Sequence, residues 1–303
     1  MELRQLRYFV TVVDEGSFTR AAERLFVAQP GVSAQIRRLE AELGQTLLDR
    51  SGPSVRPTSA GTALLAHARD ALAAVQHGRD SVDAVAGLVQ GTITLGTVPN
   101  LASEAFDLPA ALAEFHQEYP GIDISLTEGT AADLATAVRE ARLDAALLSL
   151  GSEPYEGLEQ HTLARSPLVA AGHADRWTPP NRPIRLGELA EHTLMTMPKH
   201  TGIRSVLDAA FQRIGATPRV AIESGDPALL ARLAHAGLGV AILPRPYAQG
   251  LPFVELDPPL AGQIALAWHR PHSMSPAAEA LVRQLVQAGT VESEGTPAGS
   301  TIG

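Results

Sequence analysis

The sequence predicts three units in series: a small helical unit ending in a short extended hairpin, one long helix, and a larger α/β unit. Three observations carry this. Residues 21–44, AAERLFVAQPGVSAQIRRLEAELG, are good helix-forming sequence broken once, at VAQPG. Residues 59–87 form a single Ala-rich stretch without proline. From residue 91 to about 288, short apolar runs alternate with amphipathic stretches, the pattern of a mostly parallel α/β sheet.

In the first unit, Ser17 can cap a helix through FTRAAERL, with Ala21 and Ala22 small enough for close packing. Leu25 and Phe26 end it. Pro30 then opens a second helix, because a proline in the first turn loses no needed N–H and already has helical φ. The interruption is therefore a turn between two helices. In the second helix Val32, Ile36, Leu39 and Leu43 form one apolar stripe, leaving Ser33, Ala34, Arg37 and Arg38 outside and Gln29 at the N-terminal end. A helix held by an inner stripe, with arginine and glutamine outward, suits base edges and phosphates. After Gly44, TLLDRSGPSVRPTS gives two short extended pieces around Gly52-Pro53, with Arg50 and Arg56 flanking the turn, as in a wing. A plain helical hairpin with solvated arginines is the alternative at this point.

In the long stretch, Thr58 or Ser59 can cap a helix, and Leu65, Ala68, Leu72, Val75, Arg79, Val82 and Ala86 recur at heptad-like spacing. A helix of that length with an apolar seam calls for a partner: a second copy of the chain, or else the chain's own domains.

Composition narrows the function. The chain has 303 residues and a net charge of −9, which taken globally argues against a nucleic-acid binder. Residues 1–58, however, hold 8 arginines against 7 acids, a net +1, and the remainder carries −10. The absence of cysteine excludes disulfide scaffolding, Cys-ligated zinc and a disulfide-switched peroxide sensor. A charged N-terminus and no long apolar run predict a cytoplasmic protein without a membrane partner.

Residues 1–61, and within them MELRQLRYFVTVVDEGSFTRAAERLFVAQPGVSAQIRRLEAELGQTLLDR followed by VRPTSAG, closely resemble the N-terminal domain of LysR-type transcriptional regulators. Downstream, FHQEYPGIDISLTEG, LDAALLS and AGLGVAILP are similar to that family's effector domain, so the resemblance covers roughly residues 1–288. It implies an N-terminal all-α winged helix-turn-helix (1–58), a long linker and dimerisation helix (59–88), and a C-terminal α/β two-lobed effector domain (91–288) resembling type 2 periplasmic binding proteins. A polar tail (289–303) is expected to be disordered. Lobe I would comprise about 91–163 and 267–288, and lobe II about 164–266.

The resemblance places the helix-turn-helix over Phe18 to Arg37, with Gln29, Pro30, Ser33, Arg37 and the neighbouring Arg38 toward the major groove and Arg50 and Arg56 near the wing. Ala28 stands where the family commonly has a capping serine. The implied partners are double-stranded promoter DNA and further copies of the chain, a homodimer through the linker helix and a homotetramer in all, with RNA polymerase a candidate contact.

Ligands in open α/β sheets bind beyond the carboxyl ends of strands. By resemblance Val98, Pro99, Asn100, Ser149, Thr201, Gly225 and Asp226 line the cleft between lobes, with Lys199 and Arg204 adding positive charge. Helix starts and cations together point to a small anionic effector, with no cofactor and no metal.

Enzyme motifs are missing: GxSxG, a phosphate-binding loop, GxGxxG after a strand and HExxH all fail to occur. His269 and His272 lack a third metal-ligand candidate nearby. A solute-binding protein would not carry the helix-turn-helix. A ligand-independent architectural DNA binder, the remaining alternative, would not need some 200 residues of α/β domain.

Overall fold

The structure is a computed structural model that describes residues 1–85, 91–99, 101, 106–269 and 274–289. Its N-terminal unit is α1 (Leu3–Glu15), α2 (Phe18–Arg24) and α3 (Gln29–Leu43), followed by the two-stranded wing of β1 (Leu48–Asp49) and β2 (Arg56–Pro57) and by the long α4 (Ser59–Val85). Ser17 caps α2 by accepting the N–H of Arg20 at 3.4 Å. α3 has no side-chain cap: Ala28 stands there, and Pro30 sits in the first turn. The inner stripe of α3 packs against Leu6, Phe9 and Val12 of α1 and Ala21 and Ala22 of α2. Leu43, expected to complete that stripe, is 41 % exposed. The helix stops at Gly44, whose φ of +66° turns the chain away, and Leu47 and Leu48 of the wing complete the core instead.

α4 starts where Thr58 accepts the N–H of Gly61 at 3.1 Å and donates its hydroxyl to Thr46 O at 2.7 Å. A Cβ on Gly61 would lie 2.1 Å from Leu47 O, so the start of this helix lies against the wing as only glycine allows. Leu65 and Ala68 of α4 are buried in the helical unit's core, and Leu72 packs against it. Beyond them the seam opens to solvent: Val75 is 38 % and Val82 70 % exposed, and Arg79 is exposed. Ala86 lies outside the described residues.

The α/β unit follows as β3 (Gly91–Thr97), α5 (Leu108–Glu118), β4 (Ile122–Glu128), α6 (Ala131–Arg139), β5 (Ala145–Leu150), β6 (Glu159–Ala171), β7 (Ile184–Arg185), α7 (Leu186–Leu189), β8 (Thr193–Thr196), α8 (Gly202–Arg213), β9 (Arg219–Glu223), α9 (Pro227–His235), β10 (Val240–Pro244), a 3₁₀ turn over Arg245–Ala248, β11 (Phe253–Asp257), β12 (Ala261–Trp268) and α10 (Pro276–Ala288). The strand order is β4-β3-β5-β12-β6-β10-β8-β9, with β11 paired to β6 and β7. The outer pairs β3–β4, β3–β5, β8–β9 and β8–β10 are parallel. The central strands are not: β12 runs antiparallel to β5 and β6, and β6 antiparallel to β10 and β11. The sheet is therefore mixed rather than mostly parallel, because the two strands that pass between lobes run against their neighbours.

β6 pairs with β12 up to Pro167 and with β10 from Leu168 onward, and β12 already pairs with β5 at Gln263. The lobe boundaries expected from the sequence put these crossings at about 163/164 and 266/267. The register moves the first about four residues later and the second about four earlier. Residues 263–266, expected in the second lobe, thus lie in the ladder of the first. Each lobe buries apolar side chains on both faces of its sheet. Phe115, Leu147 and Leu281 pack on one side of the first and Leu134, Val138 and Leu148 on the other. In the second, Leu194, Leu207 and Phe211 lie opposite Met195, Leu230 and Leu243. Gly289, read from the sequence as the start of a loose tail, is buried against Leu163; residues 290–303 lie outside the described residues.

Candidate functional site

Two regions bring the candidate residues together. The first is the outer face of α3. Gln29, Pro30, Ala34, Arg37 and Arg38 are exposed, and Ser33 is half-buried. Neither Arg37 nor Arg38 makes an ion pair or side-chain hydrogen bond among the described residues, so both guanidinium groups are available to phosphates and base edges.

The wing differs from expectation. Arg50, read as a DNA contact, donates to Glu40 at 2.9 Å and stacks its guanidinium 5.0 Å from the centre of the Phe18 ring. Glu40 also accepts the N–H groups of Leu47 at 3.0 Å and Leu48 at 3.3 Å. Arg50 is thereby drawn into the joint that fixes the wing to α3. Arg56, paired with Asp49 across the wing, stays exposed. Asp49 is held below the ordinary carboxylate range first by hydrogen bonds from Ser51 and then by the charge of Arg56.

Phe26 was read only as a helix end. It sits in the turn between α2 and α3 with φ +54° and a side chain 96 % exposed. A bulky residue in left-handed conformation costs energy, and a solvent-facing ring gains nothing back from the fold. No sequence signal distinguishes this phenylalanine from a buried one.

The second region is a cleft of about 180 Å³ between the lobes. Val98, Pro99, Ser149, Thr201 and Gly225 line it, as expected. Asn100 lies outside the described residues. Thr201 caps α8, accepting the N–H of Arg204 at 3.4 Å and donating to Pro198 O at 2.8 Å. Ser149 accepts the N–H of Gly202 at 3.2 Å, and a Cβ on Gly202 would lie 2.3 Å from Leu150 O, so the start of α8 rests directly on the end of β5.

Three expected members are absent from the lining. Lys199, beside the lining residue His200, is exposed and does not itself line the cleft. Asp226 caps α9, accepting the N–H of Ala228 at 2.8 Å. Arg204 is 6 % exposed and bound to Glu223 at 2.6 Å, Asp208 at 2.8 Å and Met197 O at 3.4 Å. Burial opposes its charge, and the hydrogen bonds from it to Glu223 and Asp208 outweigh that, holding the guanidinium above its ordinary range. Its charge is consumed inside lobe II. Sequence reading missed the cleft's floor, from β6 and β12, and Thr130 and Tyr247. Thr130 alone carried a signal, as a cap ahead of AADLATAVREA.

The chain matches two family models: the bacterial regulatory helix-turn-helix protein of the lysR family over residues 3–62, and the LysR substrate binding domain over residues 86–290. It is 34 % identical over 251 residues to the nitrogen assimilation regulatory protein nac of Escherichia coli, covering 83 % of this chain and 81 % of that one. Among solved structures, full-length OxyR from Pseudomonas aeruginosa shares the fold at 23 % identity with a TM-score of 0.74, over 96 % of this chain and 95 % of the other. CbnR, a LysR family transcriptional regulator, is 25 % identical with a TM-score of 0.58, over 96 % and 100 %. No helix among the described residues is long and apolar enough to cross a membrane. The free arginines of α3 and the interlobe cleft thus sit on the two domains, one DNA-binding and one effector-binding, of a LysR-family transcriptional regulator, and to that family this chain belongs.

Proposed function

We propose that this regulator reads its operator with the outer face of α3, and that a small effector seated between the lobes alters those contacts. The observation that carries the reading is the pair of unpaired guanidinium groups, Arg37 and Arg38, beside exposed Gln29. Arginine there neutralises phosphate and meets guanine, while glutamine meets adenine. Exposed Val75 and Val82 on α4 support pairing with a second copy along this helix, which sets two α3 helices on two half-sites. Two such dimers form the tetramer that the family resemblance implies. An effector that binds one lobe arrangement better biases the assembly toward it, a coupling expected at ~1–3 kcal/mol.

Fluorescence anisotropy on the DNA upstream of this chain's own gene, against scrambled competitor at two salt concentrations, tests the reading. Competitor-resistant binding is expected. Arg37→Ala weakens it by roughly 1–3 kcal/mol without changing the far-ultraviolet circular dichroism. Unchanged affinity in that variant removes Arg37 from the interface, and indifference to sequence at both salts defeats operator recognition.

A further inference from the structure

We propose that the cleft is built for an uncharged, mainly apolar effector that presents a hydrogen-bond acceptor, such as a carbonyl oxygen, to the hydroxyl of Ser166. This rests on the reading of the cleft as the effector site and names the chemistry that the site accepts.

The floor follows from strand register. Ile264 of β12 stands between Ser149 of β5 and Ala164 of β6, and Gly262 stands opposite Ser166. Alternation along a strand puts these five residues on one face of three neighbouring strands, and all five line the cleft. A Cβ on Gly262 would come within 3.0 Å of Ile203, so the cleft is as deep there as the backbone permits. Pro99 and Leu101 wall it from one lobe, Met197, Ile203 and Pro244 from the other. Apolar area on such walls favours an apolar body.

Among the described residues no lysine, arginine, aspartate or glutamate contributes to this lining, and its one imidazole, His200, is exposed to solvent. Three helices start at the cleft, and two already carry a carboxylate at that end: Asp133 in the first turn of α6 and Asp226 as the cap of α9. Those carboxylates offset the partial positive charge that would otherwise draw an anion. At the third, α8, the first N–H is already given to Ser149. An entering carboxylate would give up hydration and meet no counter-charge.

Two of the lining's hydroxyls are already given away. The Thr130 hydroxyl is given to Asp133 at 2.7 Å and that of Thr201 to Pro198 O at 2.8 Å. Ser149 uses its oxygen as acceptor, so its hydrogen is left to donate. Ser166 forms no hydrogen bond through its side chain among the described residues. Ser166 thus holds an uncommitted donor beside the Ala164–Ile264 row, two strands away from Ser149.

The test is isothermal calorimetry of the full-length protein with matched pairs sharing one apolar body: phenylacetamide and phenylacetate, hexanamide and hexanoate, indole-3-carboxamide and indole-3-carboxylate. Near neutral pH the acids are ionised. In at least one pair the amide binds about tenfold tighter or more, a difference readily resolved as a change in Kd. Ser166→Ala weakens that amide by about fivefold, the scale of one neutral hydrogen bond, with the melting temperature of the unliganded protein unchanged. Carboxylates binding as tightly as the amides, or tighter, overturn this inference and leave the effector cleft standing. An unaltered amide affinity in Ser166→Ala overturns the donor assignment. Failure of every probe of either charge counts against the cleft as an effector site at all.

Discussion

Phe26 and Arg50 are aromatic and basic residues of one small domain, and their surroundings give them opposite roles. Arg50 is drawn inward by Glu40 and Phe18, while Phe26 is pushed out in a conformation that disfavours it. Asparagine tolerates left-handed backbone far better than phenylalanine. Phe26→Asn is therefore expected to raise stability by about 0.5–1 kcal/mol in urea unfolding, since both strain and an exposed ring are removed. If the ring touches the sugar or base surface beside α3, the same variant binds operator more weakly. A variant that is both more stable and equally tight removes Phe26 from the DNA surface. The residue scale is also where sequence reading falls short. Arg37 and Arg38 were legible because helical periodicity fixes which way they point. Arg204 was not, because what neutralises it depends on β9 bringing Glu223 alongside α8.

At the scale of elements, the wing illustrates how few groups hold a small hairpin. β1 and β2 pair over only two residues each, too little to stand alone. Glu40 makes up the difference, with one oxygen on two backbone N–H groups and the other on Arg50. Glu40→Ala leaves those N–H groups without their acceptor, and a loss of about 1–3 kcal/mol is expected in thermal unfolding. Hydrogen exchange at Leu47 and Leu48 accelerates in step if the joint is made as described, and unchanged exchange would separate the wing from Glu40. Elements differed in how much of them the sequence revealed. α3 and α4 stood out because their apolar residues repeat at helical spacing over several turns. β8 and β11, of four and five residues, did not: so short an apolar run has no period to read. The first half of β6, EQHTLAR, reads as loop because its polar side chains hide a strand whose backbone is paired to β12. The cleft's floor was hidden for the same reason, since Ser166 and Gly262 meet only through a register set by the finished sheet.

At the scale of the whole molecule, Arg69 is the side chain that joins the parts. It is 8 % exposed on α4, donates to Asp14 of α1 at 2.5 Å, and reaches Glu140 just beyond α6 at 3.1 Å, where Arg142 also binds at 2.9 Å. One guanidinium thus ties the DNA-binding domain and the first lobe to the same helix. Arg69→Met keeps much of the packing and removes the charge. Its cost is expected at about 1–3 kcal/mol, below that of a fully buried pair because both carboxylates stay about one third exposed. Scanning calorimetry should then resolve two unfolding steps where the parent unfolds more nearly as one. A single unchanged transition would mean that Arg69 contributes no coupling between the domains.

The thirteen residues of β6 have a bearing on how the effector domain comes apart. The strand belongs to both lobes at once, with β12 beside its first half and β10 and β11 beside its second. Neither lobe can melt without stripping hydrogen bonds from the same strand that the other needs. Two separate pairs of hydrophobic cores are thus bound into one cooperative folding unit. A fragment cut in the middle of β6 would leave each half with an open, unpaired edge, prone to find another chain.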